Sequence, residues 1–177
     1  MSAKTRFNLF YQENRQPIHF LLRAGLIYLI WTIAYHGFLL TMGINDPLTK
    51  AVAVISFKFS SLFDNNITLK FIQNLNYIYF QDKPLICIGH ECNGLELYVL
   101  FLAFYLALNK FIASWKWVLL GIVGIFILNI GRIAALTWVV LNIPHQLDFH
   151  HKYTFALIVY SWIFLIWFLS ARRFSKG

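Results

Sequence analysis

At 177 residues the chain has the length of one domain, yet 59% hydrophobic residues and 19% aromatics exceed the roughly 45–50% apolar content of soluble folds. The formal charge of +8 sits on Lys and Arg beside apolar runs, as cytoplasmic membrane anchors do, and this argues against nucleic-acid binding. Cys87 and Cys92 form neither a disulfide framework nor a zinc spacing, which leaves one labile disulfide between them as an alternative.

The expected fold is an all-α integral membrane protein: one membrane domain over 1–177, with about four transmembrane helices and a cap between the first two. Residues 1–19 are polar and basic. Residues 20–42 form the first span, too long for a signal-peptide core and lacking a small-residue cleavage site, so they are read as a retained anchor. His36 interrupts that span, and an ionisable residue there is either functional or turned to the interface. Residues 43–91 form the cap. Val52, Ile55, Phe59 and Phe63 recur at helical spacing, predicting an amphipathic helix on the membrane surface. Ile67, Leu69 and Phe71, a break at Gln73-Asn74, then Tyr77 and Tyr79 predict a small hairpin.

The second span, 92–109, starts at Cys92 and closes on Asn109-Lys110. A helix N-terminus and a nearby cation favour a thiolate, so Cys92 is the candidate nucleophile, although free cysteine commonly acts as a small buried hydrophobe. Glu96, one turn on, either orients a partner or simply suits the positive helix end. The third span, 115–143, offers Gly121 and Gly124 for close helix approach. It also carries Asn129-Ile130-Gly131-Arg132, and an arginine so far inside an apolar helix costs at least several kcal/mol without an anion, carbonyls or water. Snorkelling does not suffice, since roughly 16 Å of helix separate Arg132 from Ile143. The connector brings Pro144, His145, Asp148 and His150, and the fourth span, 151–170, opens on His151. Metal binding by His145, His150, His151 and Asp148 lacks a second ligand set. No motif requires a cofactor.

An even number of spans places both termini on one side, and Lys4, Arg6, Arg15, Arg23, Lys110, Lys116, Arg172, Arg173 and Lys176 mark it as cytoplasmic, with 171–177 as a cytoplasmic tail. The expected location is therefore the plasma membrane, with Cys92, Arg132 and His150 or His151 converging at the outer face. The residue types fit acyl transfer. Cys92 would attack a carbonyl carbon, Arg132 would neutralise the oxyanion, and histidine would take and return the proton.

Cys92-Asn93-Gly94-Leu95, then Asn129-Ile130-Gly131-Arg132, then His150 or His151 opening a last apolar helix, resembles the exosortase and archaeosortase family of membrane cysteine enzymes over about residues 67–170. The resemblance implies Cys92 as nucleophile, Arg132 as stabiliser of an oxyanion or substrate carboxylate, and His151, with His150 as its rival, as base. Asn93, Gly94, Asn129 and Glu96 would support them. It also implies substrates that are exported proteins with a carboxy-terminal sorting signal: a short motif, an apolar helix and a basic tail. The chain departs from the family in its compactness, and where the familiar histidine motif has glycine four residues on, it has Thr154 or Phe155. Two rival readings are a four-span thiol-disulfide oxidoreductase using Cys87 and Cys92 with a quinone, and a non-enzymatic assembly subunit whose Arg132 pairs with Glu96.

Overall fold

The computed structural model describes residues 10–43, 45–73, 75–107 and 115–175. Lys4, Arg6, Asn74, the Asn109-Lys110 closure and Lys176 lie outside the described residues. The fold is predominantly helical and belongs to a membrane protein, with three helices long and apolar enough to cross a bilayer. The first is α1, Arg15–Ala34, prolonged by a π-helical turn at Tyr35–Leu39. It buries little beyond Ala24 and Tyr35 and exposes Leu21, Leu22, Leu26, Leu29, Ile30 and Ile33, a face suited to lipid. The cap region holds α2, Asp46–Ser60, and an antiparallel sheet in the order β1-β2-β3: β1 Ile67–Ile72, β2 Leu75–Phe80 and β3 Lys83–Ile88. Then come α3, Leu95–Ala107, and α4, Trp115–Asn142. Short turns at Pro144–Gln146, Leu147–Phe149 and His150–Thr154 lead into α5, Phe155–Ser175.

Two expectations need correction. The helix of the second span begins at Leu95, not Cys92, and its 13 described residues rise about 20 Å, with residues 108–114 outside the described ones. The small hairpin is instead a three-stranded sheet. Its third strand was hidden because the connecting turn uses Gln81 and Asp82, both at positive φ, in place of the Asn-Gly that advertises a two-residue hairpin. Pro84, at a register shift opposite Tyr79 on the outer strand, also argues against a strand when read alone. The helix expected in the cap is α2: Thr49, Val52, Ala53, Ser56 and Ser60 form its inner face, most of them small enough to let it lie close on α4, while Ile55, Phe59 and the following Phe63 are 41%, 44% and 73% exposed.

The longest helix, α4, organises the packing, touching α2, α3, α5 and β3. Its first half contributes Val118 and Ile125 to one core, with Phe101 and Tyr105 of α3 and Val159, Ile163 and Ile166 of α5. Its second half contributes Ile130 and Ile133 to another, with Val52 and Ala53 of α2 and Ile67, Ile78 and Ile88 of the sheet. The glycines expected to permit close approach do so by seating aromatic rings: a Cβ at Gly121 would stand 2.0 Å from the Phe101 ring, and one at Gly124 would stand 2.3 Å from Trp162. Gly121→Val must therefore displace the buried Phe101. Overpacking of this kind costs about 1–3 kcal/mol, and the purified variant should unfold at lower temperature than wild type. An unchanged transition would contradict the seating of Phe101.

Candidate functional site

Cys92 lies in a 3-10 turn, His90–Cys92, between β3 and α3. Each following residue has a task in turning the chain. The Asn93 side-chain oxygen accepts from Leu95 N at 2.8 Å, and its Nδ2 donates to Thr49 Oγ1 of α2 at 3.0 Å. Gly94 has φ +79, a conformation that L side chains rarely adopt, and a Cβ there would also stand 3.4 Å from Asn129 Nδ2. Its carbonyl accepts the first helical bonds, from Leu97 N and Tyr98 N. The turn is fixed from outside by Asn129 of α4, whose Nδ2 donates to the carbonyl of Cys92 at 2.8 Å.

Arg132 lies one helical turn beyond Asn129, on the same side of α4. Its Nη2 meets His151 Nε2 at 3.0 Å. A guanidinium can only donate, so Nε2 accepts and the proton of the neutral ring resides on Nδ1. Both side chains line a cavity of about 190 Å³ between α1, α3 and α5. His90, Glu91 and Glu96 also border it, and Tyr28, Leu100, Val159 and Tyr160 give it an apolar side. Elsewhere along the helices Phe20 of α1 stacks on Phe104 of α3 and Trp167 of α5, with centroids 5.8 Å apart in each pair.

His150 turns to its own helix, meeting Thr154 Oγ1 at 3.1 Å and Gln146 Oε1 at 3.2 Å. Glu96 approaches His36 at 3.9 Å, so the Arg132–Glu96 pair of the assembly-subunit reading is not formed. Cys87 is exposed on β3, and both thiols are free. Among the described residues, no three of His, Cys, Asp and Glu gather in a metal-binding arrangement.

Cys92 itself departs from expectation. Its side chain packs against the apolar cluster of Val52, Ile88, Ile130 and Ile133 and is absent from the cavity lining. Burial pushes the thiol up, while the Arg132 guanidinium and the hydrogen bond to Gly89 pull it down. Burial dominates. Burial thus disfavours the thiolate, because the turn holds Cys92 ahead of α3 and against apolar side chains.

Sequence reasoning overlooked His90 and Asp46, whose Nε2 and Oδ1 lie 3.4 Å apart. Their only sequence signal was His90 standing two places before Cys92, and nothing local joins it to α2. Comparison of the chain with protein-family models, curated proteins and solved structures finds no match.

With Cys87 replaced by serine, Cys92 should react with iodoacetamide at pH 8 more slowly than a small free thiol. Arg132→Gln removes the cation that opposes burial, so the thiol should rise further and react more slowly still. Faster alkylation in Arg132→Gln would contradict the electrostatic role given to this arginine.

Proposed function

We propose that the protein is an exosortase-like membrane cysteine protease or transpeptidase that cleaves carboxy-terminal sorting signals of exported proteins at the outer face of the plasma membrane. The observation carrying this reading is the Arg132–His151 contact at 3.0 Å, in a cavity bordered by the Cys92 turn. The topology follows the basic residues: four spans, both termini cytoplasmic and the cap outside.

The cavity suits such a substrate. Its polar rim would receive the short motif, and its apolar side, between α1 and α5, would receive the start of the apolar helix. In the resting site the His151 lone pair is occupied by Arg132 and the thiol is turned to hydrocarbon. Binding would draw the guanidinium toward the scissile carbonyl, leaving Nε2 free, and a rotamer change would bring the thiol into the cavity.

Cys92 would then lose its proton to His151 as its sulfur bonds to the carbonyl carbon, with the oxyanion facing Arg132. The carbon–nitrogen bond would break as His151 returns the proton to the leaving amine, leaving a thioester on Cys92. Water would complete proteolysis, and an acceptor nucleophile would complete transfer.

The test uses membranes carrying wild-type protein or single variants, together with a secreted protein ending in an apolar, basic-tailed segment. Processing should vanish in Cys92→Ala and fall by about a hundredfold or more in Arg132→Gln, while persisting in Cys87→Ala and His150→Gln. Full processing by Cys92→Ala would end this proposal, and equal loss in Cys87→Ala would point to disulfide chemistry.

A further inference from the structure

We propose that the cleft between α2, the sheet and the second half of α4 holds one phospholipid whose headgroup ends in a primary ammonium. Two adjoining hollows make up the cleft. One, of about 360 Å³, lies where the end of α2 meets β1, β2 and α4, and the other, of about 330 Å³, continues along α4 to Gly131. They share Phe63, Ala134 and Trp138. Nine residues at 100° each put Trp138 half a turn round α4 from Asn129, so the cleft lies on the opposite side of the helix from the Cys92 turn.

The lining changes character along its length. Asp64 and Asn142 stand at the end where α4 stops, whereas Gly131, Ala135 and Phe59 line the other end, with only apolar and aromatic side chains beside them. Asn142 and Gly131 are eleven residues apart, roughly 16 Å along the helix axis. A hollow that is polar at the helix end and hydrocarbon further in matches an amphiphile lying along a membrane helix. A second transmembrane helix does not match, because ten residues of helix about 10 Å across occupy roughly 1,200 Å³, more than the two hollows hold. At Gly131 the groove is open, since an added Cβ would meet nothing within 4 Å.

The polar end selects the headgroup. Ser60 lines it and is only 5% exposed, yet its Oγ has no hydrogen-bond partner among the described residues. A buried hydroxyl left so is unfavourable, and a phosphate oxygen would accept its proton. Thr137 has already given its proton to the Ile133 carbonyl, and Asn142 Nδ2 donates to the Trp138 carbonyl, so both present oxygen lone pairs. Asp64 accepts from Asn66 N at 2.8 Å and enters none of the ion pairs among the described residues. A backbone bond from Asp64 N to the Ser60 carbonyl at 3.3 Å keeps these two residues on one turn. A carboxylate set among acceptor oxygens suits a cation that carries N–H groups. An anionic headgroup would meet like charge, and a quaternary ammonium has no proton for these acceptors. Phosphatidylethanolamine supplies both partners: its ammonium for Asp64 and its phosphate for Ser60.

This site needs only the membrane location of the helices and stands apart from the proposed chemistry. Its test is native mass spectrometry of the full chain, released from detergent after titration with phosphatidylethanolamine, phosphatidylcholine or phosphatidylglycerol of identical acyl chains. Wild type should keep one phosphatidylethanolamine, bound about fivefold or more tightly than the other two, the effect of one charge-assisted hydrogen bond. Asp64→Asn should bring the three lipids level. Gly131→Leu fills the groove from open space, so it should lose all three lipids while its unfolding temperature in lipid-free detergent stays at the wild-type value. If Gly131→Leu fails to fold, the Asp64→Asn comparison still decides the headgroup. Equal retention of the three lipids by wild type, or a preference for phosphatidylcholine, would overturn the site. So would a preference that survives Asp64→Asn, or lipid binding undiminished in folded Gly131→Leu. A dimer abolished by Gly131→Leu would overturn it too, by assigning the cleft to a second copy of the chain.

Discussion

Within an α-helix every backbone donor and acceptor is already spent, so polar side chains placed deep on α4 must find partners on other elements. Asn129 does so by donating to the carbonyl of Cys92. Arg132, one turn on, does so by donating to His151. These bonds lie near the level at which α4 passes from the core shared with α3 and α5 to the core shared with α2 and the sheet. The two polar residues thus tie together elements that the apolar packing leaves in separate clusters. Losing the contact with the Cys92 carbonyl would leave the buried Asn129 amide unsatisfied, at a cost of about 1–3 kcal/mol, whereas hydrocarbon at both positions would lose the register between the Cys92 turn and the last helix.

The same bonds give the motif residues physical roles. Asn93 and Gly94 are required by a turn that reverses out of β3 into α3 with a left-handed residue and a side chain shared between α3 and α2. Asn129 precedes Arg132 by three residues because that interval puts an anchor for the turn and a cation for the cavity on one face. The resting site is closed in two ways. The Cys92 thiol is turned to hydrocarbon, and the lone pair of His151 is capped by Arg132. A membrane thiol kept neutral and turned away is protected from oxidation and from idle acylation, and on the proposed reading substrate supplies the interactions that release it.

Legibility in the sequence followed the range of the interactions. The apolar helices could be read because twenty or so hydrophobic residues have few other fates. Asn129 and Arg132 could be read because polar groups in such a run demand an explanation. The choice between His150 and His151 could not, since neighbours on a helix differ by about 100°, and only the docking of the connector shows that His151 is the one on Arg132. The spacing on α2 marked a helix but not the face that meets the protein: small residues, Ala53, Ser56 and Ser60, lie on α4 while Ile55 and Phe59 face outward. In a membrane protein, hydrophobicity alone does not mark the inside. His90 and Asp46 were invisible as a pair because their meeting depends on how α2 and the turn lie across α4.

On the proposed reading Cys92, held by Asn129 and served by Arg132 and His151, forms a covalent acyl intermediate. The most direct measurement is intact-protein mass spectrometry after a brief reaction of purified wild-type protein with a sorting-signal substrate, followed by peptide mapping with and without hydroxylamine. The proposed mechanism requires a hydroxylamine-labile thioester on Cys92, lost in Arg132→Gln and His151→Gln and retained in His150→Gln. Processing that proceeds with no adduct on Cys92, or with the adduct on Cys87, would contradict it.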